Sequence, residues 1–338
     1  MGEKETNPRI FIGPMSINIV NTVAKFCDDN DMSIGLIPSR RQVEYDGGYV
    51  NNWTTKEFVL HARKQSYRLV LQRDHGGPRQ GTGAPDDDGM QSFLHDCISG
   101  FDLIHIDPWK KTQSLSAAIK ETATYMKFCN SLSTNLRFEV GTEEAIRKYE
   151  ADEFNDFLIG LKKEVGPLFD KVEYGVIQFG TRIEGIENIG EFDEQRCMDM
   201  IEICKNHNIF SKEHNGDYLS LDAVSRRYEL GLDGLNIAPE FGSIESCTIL
   251  GEIQAAGRDD LLDQFYQTCV ASNRWKKWVP EDFQLTDDKK PFIIKLCGHY
   301  VFSTEELEKI KKELPGIDEK IHNSIYNKLA QLQCTIKQ

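Results

Sequence analysis

Nowhere in the 338 residues do apolar side chains run unbroken for the ~18 positions that a helix needs to cross a bilayer. The first ten residues, MGEKETNPRI, are polar and charged and contain no apolar signal-peptide core, so a cytoplasmic protein is expected. Positive charge is scarce too. Lys and Arg number 40 against 54 Asp and Glu, a formal net charge of −14. That balance disfavours nucleic acid and anionic membrane as partners, although it leaves room for a local basic pocket. Paired cysteines are missing: the nine are scattered singly with no CxxC, which fits reduced thiols rather than a disulfide framework. There is no HExxH, and the one glycine-rich stretch, GGPRQGTG at 76–83, follows Asp-His and contains a proline. The chain therefore lacks both a local zinc motif and a dinucleotide fingerprint.

What is present is alternation. Short apolar runs at 10–12, 33–37, 69–71, 103–106, 136–140, 175–179, 209–212 and 234–237 are separated by amphipathic stretches such as 17–27, 114–129, 154–161, 194–207 and 221–230. Unbroken apolar runs joined by crossovers of that length are the pattern of parallel strands buried on both faces. Eight strand–helix units predict an α/β fold, a (β/α)8 TIM barrel over residues 1–258. An open doubly wound sheet is the structural alternative. Beyond 258 the character changes, and helical periodicity at 259–272, 303–314 and 317–332 predicts a C-terminal helical region, 259–338, packed on the barrel. This region also carries an aromatic and basic stretch, RWKKWVP at 274–280, and a short apolar run at 292–296.

The apolar runs end in chemistry. In YRLVLQRDHGGP (67–78), a buried-strand pattern stops at a charged Arg-Asp-His and turns on two glycines and a proline. Ionisable residues stand at nearly every such end: Arg40, Asp74, His75, His105, Asp107, Glu139, Glu143, Arg182, His214, Asp217 and Glu240. In a barrel the strand ends share one mouth, where catalysis sits. Convergent buried charges are costly unless they pair or hold a metal, and imidazoles with carboxylates suit Zn²⁺, Mn²⁺ or Fe²⁺ better than Ca²⁺. Structural roles compete at several positions. His105 lies inside a strand and is also readable as a core histidine, Glu143 as a helix-start acid, and Asp217 as an N-cap. The acids at 86–88 read as a solvated loop, and His61, His95, His207 and His322 as helical packing or surface residues. Glu139, between Phe138 and Val140, would be an expensive core residue and points to function.

DHGGP (74–78), FDLIHID (101–107), VGTE (140–143) and EHNGDY (213–218), with an early GGY (47–49), resemble in order and spacing the non-catalytic-subunit family of class II tagatose-1,6-bisphosphate aldolase. The resemblance implies a (β/α)8 barrel. Through the wider class II aldolases it also implies a divalent metal, taken as Zn²⁺, that polarises a ketose carbonyl and stabilises an enediolate. It further implies Asp74 as the proton-transfer acid and His75 and His214 as metal ligands, with Glu139, or after it Asp217, completing the set. Asp107 joins the catalytic candidates. Arg40, Arg41, His105, Glu143, Arg182, Asp217 and Glu240 are candidates for substrate contact, the arginines because their fork suits phosphate or carboxylate. Four stretches depart from the catalytic members of that class: the sixth strand ends in QFGT without a histidine, the eighth is followed by APEFGSIESC, the fourth ends in Asp107-Pro108-Trp109, and the second ends in Arg40-Arg41. The expectation is a metal-dependent enzyme on a sugar or sugar phosphate, an aldolase-like carbon–carbon lyase or an epimerase. The alternative is a non-catalytic subunit stabilising a partner aldolase, and association as a homo-oligomer or with such a partner is expected.

Overall fold

The computed structural model describes residues 7–81, 86–112 and 114–336. The charged start of the chain at 1–6 and the end of the glycine-rich stretch at 82–83 lie outside them. Eight strands, β1 (Ile10–Ile12), β2 (Ile34–Leu36), β3 (Leu69–Gly76), β4 (Leu103–Ile106), β5 (Arg137–Gly141), β6 (Val172–Ile177), β7 (Phe210–Glu213) and β8 (Gly234–Ile237), pair in chain order. Every pairing is parallel, and β8 closes on β1 with Ile10 opposite Leu235. The (β/α)8 barrel expected from the alternation is what the chain forms.

Two apolar cores result. A small one inside the barrel holds Phe11, Ile37, Leu103 and Tyr174, while a much larger one lies between strands and helices. Gly35 and Gly234 make the inner core feasible, because a Cβ at Gly35 would sit 2.0 Å from the Phe11 ring and one at Gly234 3.3 Å from it. Side chains alternate along a strand, so the interior set that includes Leu103, Tyr174 and Lys212 continues two residues on into the mouth with His105 and His214. That period of two is how the strands deliver polar groups past an apolar floor.

After the helix Pro239–Ala255 come the helices Asp259–Ala271, Lys290–Cys297, Glu305–Lys312 and Ile317–Ile336. The apolar run at 292–296 is thus helical, since it starts from Pro291 in the first turn and buries Ile293, Ile294 and Leu296 on one side. In Ile317–Ile336, Ile317, Ile321, Ile325, Leu329, Leu332 and Ile336 recur every three or four residues. This stripe packs on the helices Ile17–Asn30, Leu221–Glu229 and Pro239–Ala255 and joins the large core. Between these helices the chain at 274–300 passes beside the barrel mouth, with Arg274–Trp278 as a 3-10 turn. Among the described residues no helix is long and apolar enough to cross a membrane, and the nine cysteines are all free.

Candidate active site

The end of β3 is irregular. The β3–β4 register shifts between Arg73 and Gly76, and His75 has a left-handed backbone, φ +46°. Such a backbone costs a non-glycine residue about 1–3 kcal/mol, but a bulge of this kind re-aims side chains. Arg73 is wholly buried and forks onto Asp96 at 2.6 and 2.9 Å, with further bonds to the carbonyls of Pro38 and Val43. Asp74 and His75 both line the mouth instead. The His75 backbone N–H donates to His105 Nδ1 at 3.2 Å, and its ring Nδ1 meets Asp107 Oδ2 at 2.7 Å, so the strained conformer is held at both ends.

Three imidazoles meet here, from β3, β4 and just past β7, with ring centroids 5.0 to 5.2 Å apart. Each has one nitrogen tied outward. His75 Nδ1 faces Asp107, His105 Nε2 lies 3.1 Å from the Gly141 carbonyl, and His214 Nε2 lies 2.8 Å from Glu139 Oε1. Each partner accepts, so each tied nitrogen carries the proton in the neutral ring. The other three, His75 Nε2, His105 Nδ1 and His214 Nδ1, lie 3.8 to 3.9 Å from the Asp74 carboxylate oxygens, and His105 Nδ1 also accepts from the His75 backbone N–H. Outer N–H groups anchored on carboxylates or carbonyls are the usual support of metal-ligating histidines.

Ligand atoms of the three imidazoles lie within 4.8 Å of one another, as do those of Asp74, His105, Glu139 and His214. Asp74 Oδ1 is buried without a hydrogen-bond partner, 3.8 Å from His105 Nδ1 and 3.9 Å from His214 Nδ1. Two atoms bound to one ion at about 2.1 Å under a tetrahedral angle lie about 3.4 Å apart. The Asp74 separations are wider than that, so the donor set suits a divalent ion while the side chains would close by a few tenths of an ångström to bind it. Electrostatics point the same way, because four carboxylates (Asp74, Asp107, Glu139, Glu143) crowd the rings. Burial lowers the His75 pKa, but Asp74 and Glu143 outweigh it and hold it well above the usual imidazole value. Burial also lowers that of His105, and Glu139 and Asp74 outweigh it in the same way. Conversely, burial raises the carboxyls of Asp74 and Glu143, yet the imidazoles bring Asp74 far below the usual range and His75 brings Glu143 to about 2. The mouth is a place that asks for positive charge.

The other predicted residues divide. Glu143 belongs to the cluster, 3.5 Å from His75 Nε2 and bonded to Asn215 Nδ2 at 2.7 Å. Asp107 also accepts from Gln80 and Thr142, which locks it behind His75. Arg41 lines the mouth beside Asp74. Arg40 does not: its guanidinium is spent on Glu44, Asp87 and the Gly77 carbonyl, and Asp87 is thereby a structural partner rather than part of a solvated loop. Arg182 is 72% exposed and pairs with Glu184. Asp217 accepts the backbone N–H groups of Ala238 and Glu240, both at 2.8 Å, and so caps the helix Pro239–Ala255. Burial raises its pKa to about 8. Glu240 is bound to the Tyr218 N–H and to Lys328.

Sequence reasoning missed several groups. Lys212 stands unexposed in the barrel centre, its Nζ 2.7 Å from Glu139 Oε2, 2.6 Å from Gln72 Oε1 and 3.3 Å above the Phe11 ring. Asn236 is buried with both amide atoms unpartnered. Lys110, Arg274, Lys277 and His299 line the mouth with Arg41. The signal for Lys212 was its place two residues before His214 on one strand face, and for Arg274 and Lys277 the basic-aromatic RWKKW. Lys212 anchors Glu139, which anchors His214. Lys212→Met should therefore destabilise the fold by about 3–5 kcal/mol, because it leaves a buried carboxylate unpaired. Lys212→Met with Glu139→Gln should recover much of the loss, as read from denaturant midpoints. Equal midpoints for Lys212→Met and the parent chain would remove this anchoring role.

No protein-family model and no curated protein sequence matches the chain. Solved structures do. A probable tagatose 6-phosphate kinase from Sinorhizobium meliloti 1021 superposes with a TM-score of 0.78 at 14% identity, covering 97% of this chain and 100% of that one. The fructuronate-tagaturonate epimerase UxaE from Cohnella laeviribosi gives 0.67 at 10% identity, with 100% and 82% coverage. Fructose-bisphosphate aldolase from Campylobacter jejuni gives 0.61 at 11%, with 98% and 91%. At these identities the likeness is one of fold, shared by proteins described as kinase, epimerase and aldolase.

Proposed function

We propose that the chain is a metal-dependent enzyme acting on a ketose or ketose phosphate through an enediolate, either cleaving a carbon–carbon bond or inverting a carbon centre. The observation that carries this is the set of three imidazoles, each tethered by its outer nitrogen, with the other nitrogen 3.8 to 3.9 Å from the carboxylate of Asp74, whose Oδ1 has no hydrogen-bond partner. His75, His105 and His214 would hold the ion, Zn²⁺ being the first choice for three nitrogen ligands with an open position. When bound, such an ion supplies a Lewis acid for a carbonyl or hydroxyl oxygen.

The remaining chemistry belongs to the chain. Asp74, its Oδ2 3.8 Å from His75 Nε2, is placed to take a proton from a substrate hydroxyl or carbon and to return it. Glu139 is held by His214 on one oxygen and Lys212 on the other, so it orients the imidazole rather than reaching substrate. Glu143, steadied by Asn215, is the second carboxylate able to hold or move a proton. The three structural neighbours are named for tagatose 6-phosphate, fructose bisphosphate and the fructuronate–tagaturonate pair, which supports a ketose bearing an anionic group.

Dialysis against a chelator should abolish turnover of ketohexose phosphates and keto acids, and Zn²⁺, Mn²⁺ or Co²⁺ should restore it. NMR of the products then separates three-carbon fragments from an epimer. Full activity in a metal-free preparation would sink the proposal. Stimulation of a separate aldolase, without turnover by this chain alone, would favour the subunit role instead.

A further inference from the structure

Beside Asp74 and His75 lies a cavity of about 200 Å³. Four cationic side chains line it: Arg41 from the chain after β2, Lys110 from the chain after β4, and Arg274 and Lys277 from the C-terminal segment. The only carboxylate among its lining residues is Asp74. Acids outnumber bases in this chain, and its buried guanidiniums are paired, Arg40 with Glu44 and Asp87, Arg73 with Asp96, and Arg227 with Glu213. Against that background, none of the four forms an ion pair among the described residues. Burial lowers the Lys277 pKa to about 8, and Arg41, Arg274 and Lys110 lower it further in the same direction. Four like charges from three parts of the chain ring this one pocket, and although each side chain stays exposed to solvent, together they make it attractive to an anion.

The rest of the wall combines aromatic rings with neutral polar groups. The Lys277 amine sits 4.2 Å over the Trp278 ring and 5.1 Å from that of Tyr300, which fixes its position. His299 is 2% exposed, and its Nδ1 has no hydrogen-bond partner. Burial, with Lys277 nearby, lowers its pKa to about 3, so it is a neutral polar group that can meet a hydroxyl. The volume is below the ~300–1,000 Å³ of pockets for drug-sized ligands, which limits the occupant to about a monosaccharide. The larger cleft on the other side of Pro239 and Trp278 mixes Lys148, Arg182 and Arg196 with Glu143, Glu144 and Glu191, and so offers an anion no comparable excess of cations.

We infer that this cavity holds the anionic end of an open-chain sugar, a phosphate or a carboxylate, gripped by Arg41, Lys110, Arg274 and Lys277, with the sugar carbons running toward Asp74 and His75. This deepens the proposed function and rests on it for the reacting end only. The C-terminal segment thus supplies half of the anion grip and sets which sugars enter.

The test is calorimetric titration of the full chain with D-glucitol 6-phosphate, D-gluconate and uncharged D-glucitol, with metal content measured on the same samples. At least one of the two anions should bind about tenfold or more tighter than glucitol, and added salt should weaken that binding. Tighter binding of glucitol 6-phosphate identifies a sugar phosphate, and of gluconate a sugar acid. Arg274→Ala and Lys277→Ala should each weaken the preferred anion by about tenfold with unchanged metal content, and Lys277→Arg should restore part of the loss. Glucitol binding as tightly as both anions, or unaltered affinity in both alanine variants, would overturn the inference. Anion binding in a chain that takes up no metal would preserve this site while refuting the metal-dependent function.

Discussion

His105→Ala is expected to lose its divalent ion and its turnover together. Changing only the groups behind a metal ligand typically costs 10–100-fold in affinity, so removing a ligand should cost ~100-fold or more. Metal analysis after gel filtration would read it, with near-zero occupancy expected for His75→Ala, His105→Ala and His214→Ala alike. His105 is the informative member of the three. The strand pattern allowed it to be a buried core histidine, whereas the structure ties its Nε2 to the Gly141 carbonyl and turns its Nδ1 into the cluster. Circular dichroism of each variant separates loss of metal from loss of fold. A folded His105→Ala chain with full metal and full activity would sink the three-imidazole arrangement.

Asp74→Asn is expected to keep the metal and lose ~10²–10⁴-fold in kcat, the usual worth of a positioned general acid–base group. The substitution preserves shape while removing the basic oxygen, and Asp74 Oδ1 makes no hydrogen bond that the fold would miss. Steady-state kinetics beside metal analysis is the check. Unchanged kcat would pass the proton-transfer role to Glu143, 3.5 Å from His75 Nε2. Loss of metal from Asp74→Asn would instead make that carboxylate a ligand.

The absence of a histidine at the sixth strand end, where the resemblance to class II aldolases implied one, has a structural counterpart. Gln178 there is 2% exposed and donates to the carbonyls of Thr142 (2.7 Å) and Arg147 (2.8 Å), so it pins the chain beyond β5. The third imidazole of the cluster comes from β4 instead. A ligand has no fixed address in the sequence of a barrel, because all eight strand ends open onto the same space.

Strand order, barrel closure and the mouth position of Asp74, His75, Glu139 and His214 were legible in the sequence. Apolar runs of three to five residues separated by helical periodicity leave few ways to bury parallel strands on both faces, and a strand end directs whatever follows it to the mouth. Arg40 and Arg41 show where that reasoning stops. They are neighbours of one type at one strand end, yet Arg40 is consumed by Glu44 and Asp87 while Arg41 faces the cavity beside Asp74. Which arginine is free depends on carboxylates distant in the chain, and only packing brings those close. The tertiary structure likewise decided that Arg274 and Lys277 stand opposite Asp74 across some two hundred residues of chain, and that Lys212 sits behind Glu139. Periodicity is local and survives in one dimension, whereas charge pairing and cavity lining are settled by contacts between residues far apart in the chain.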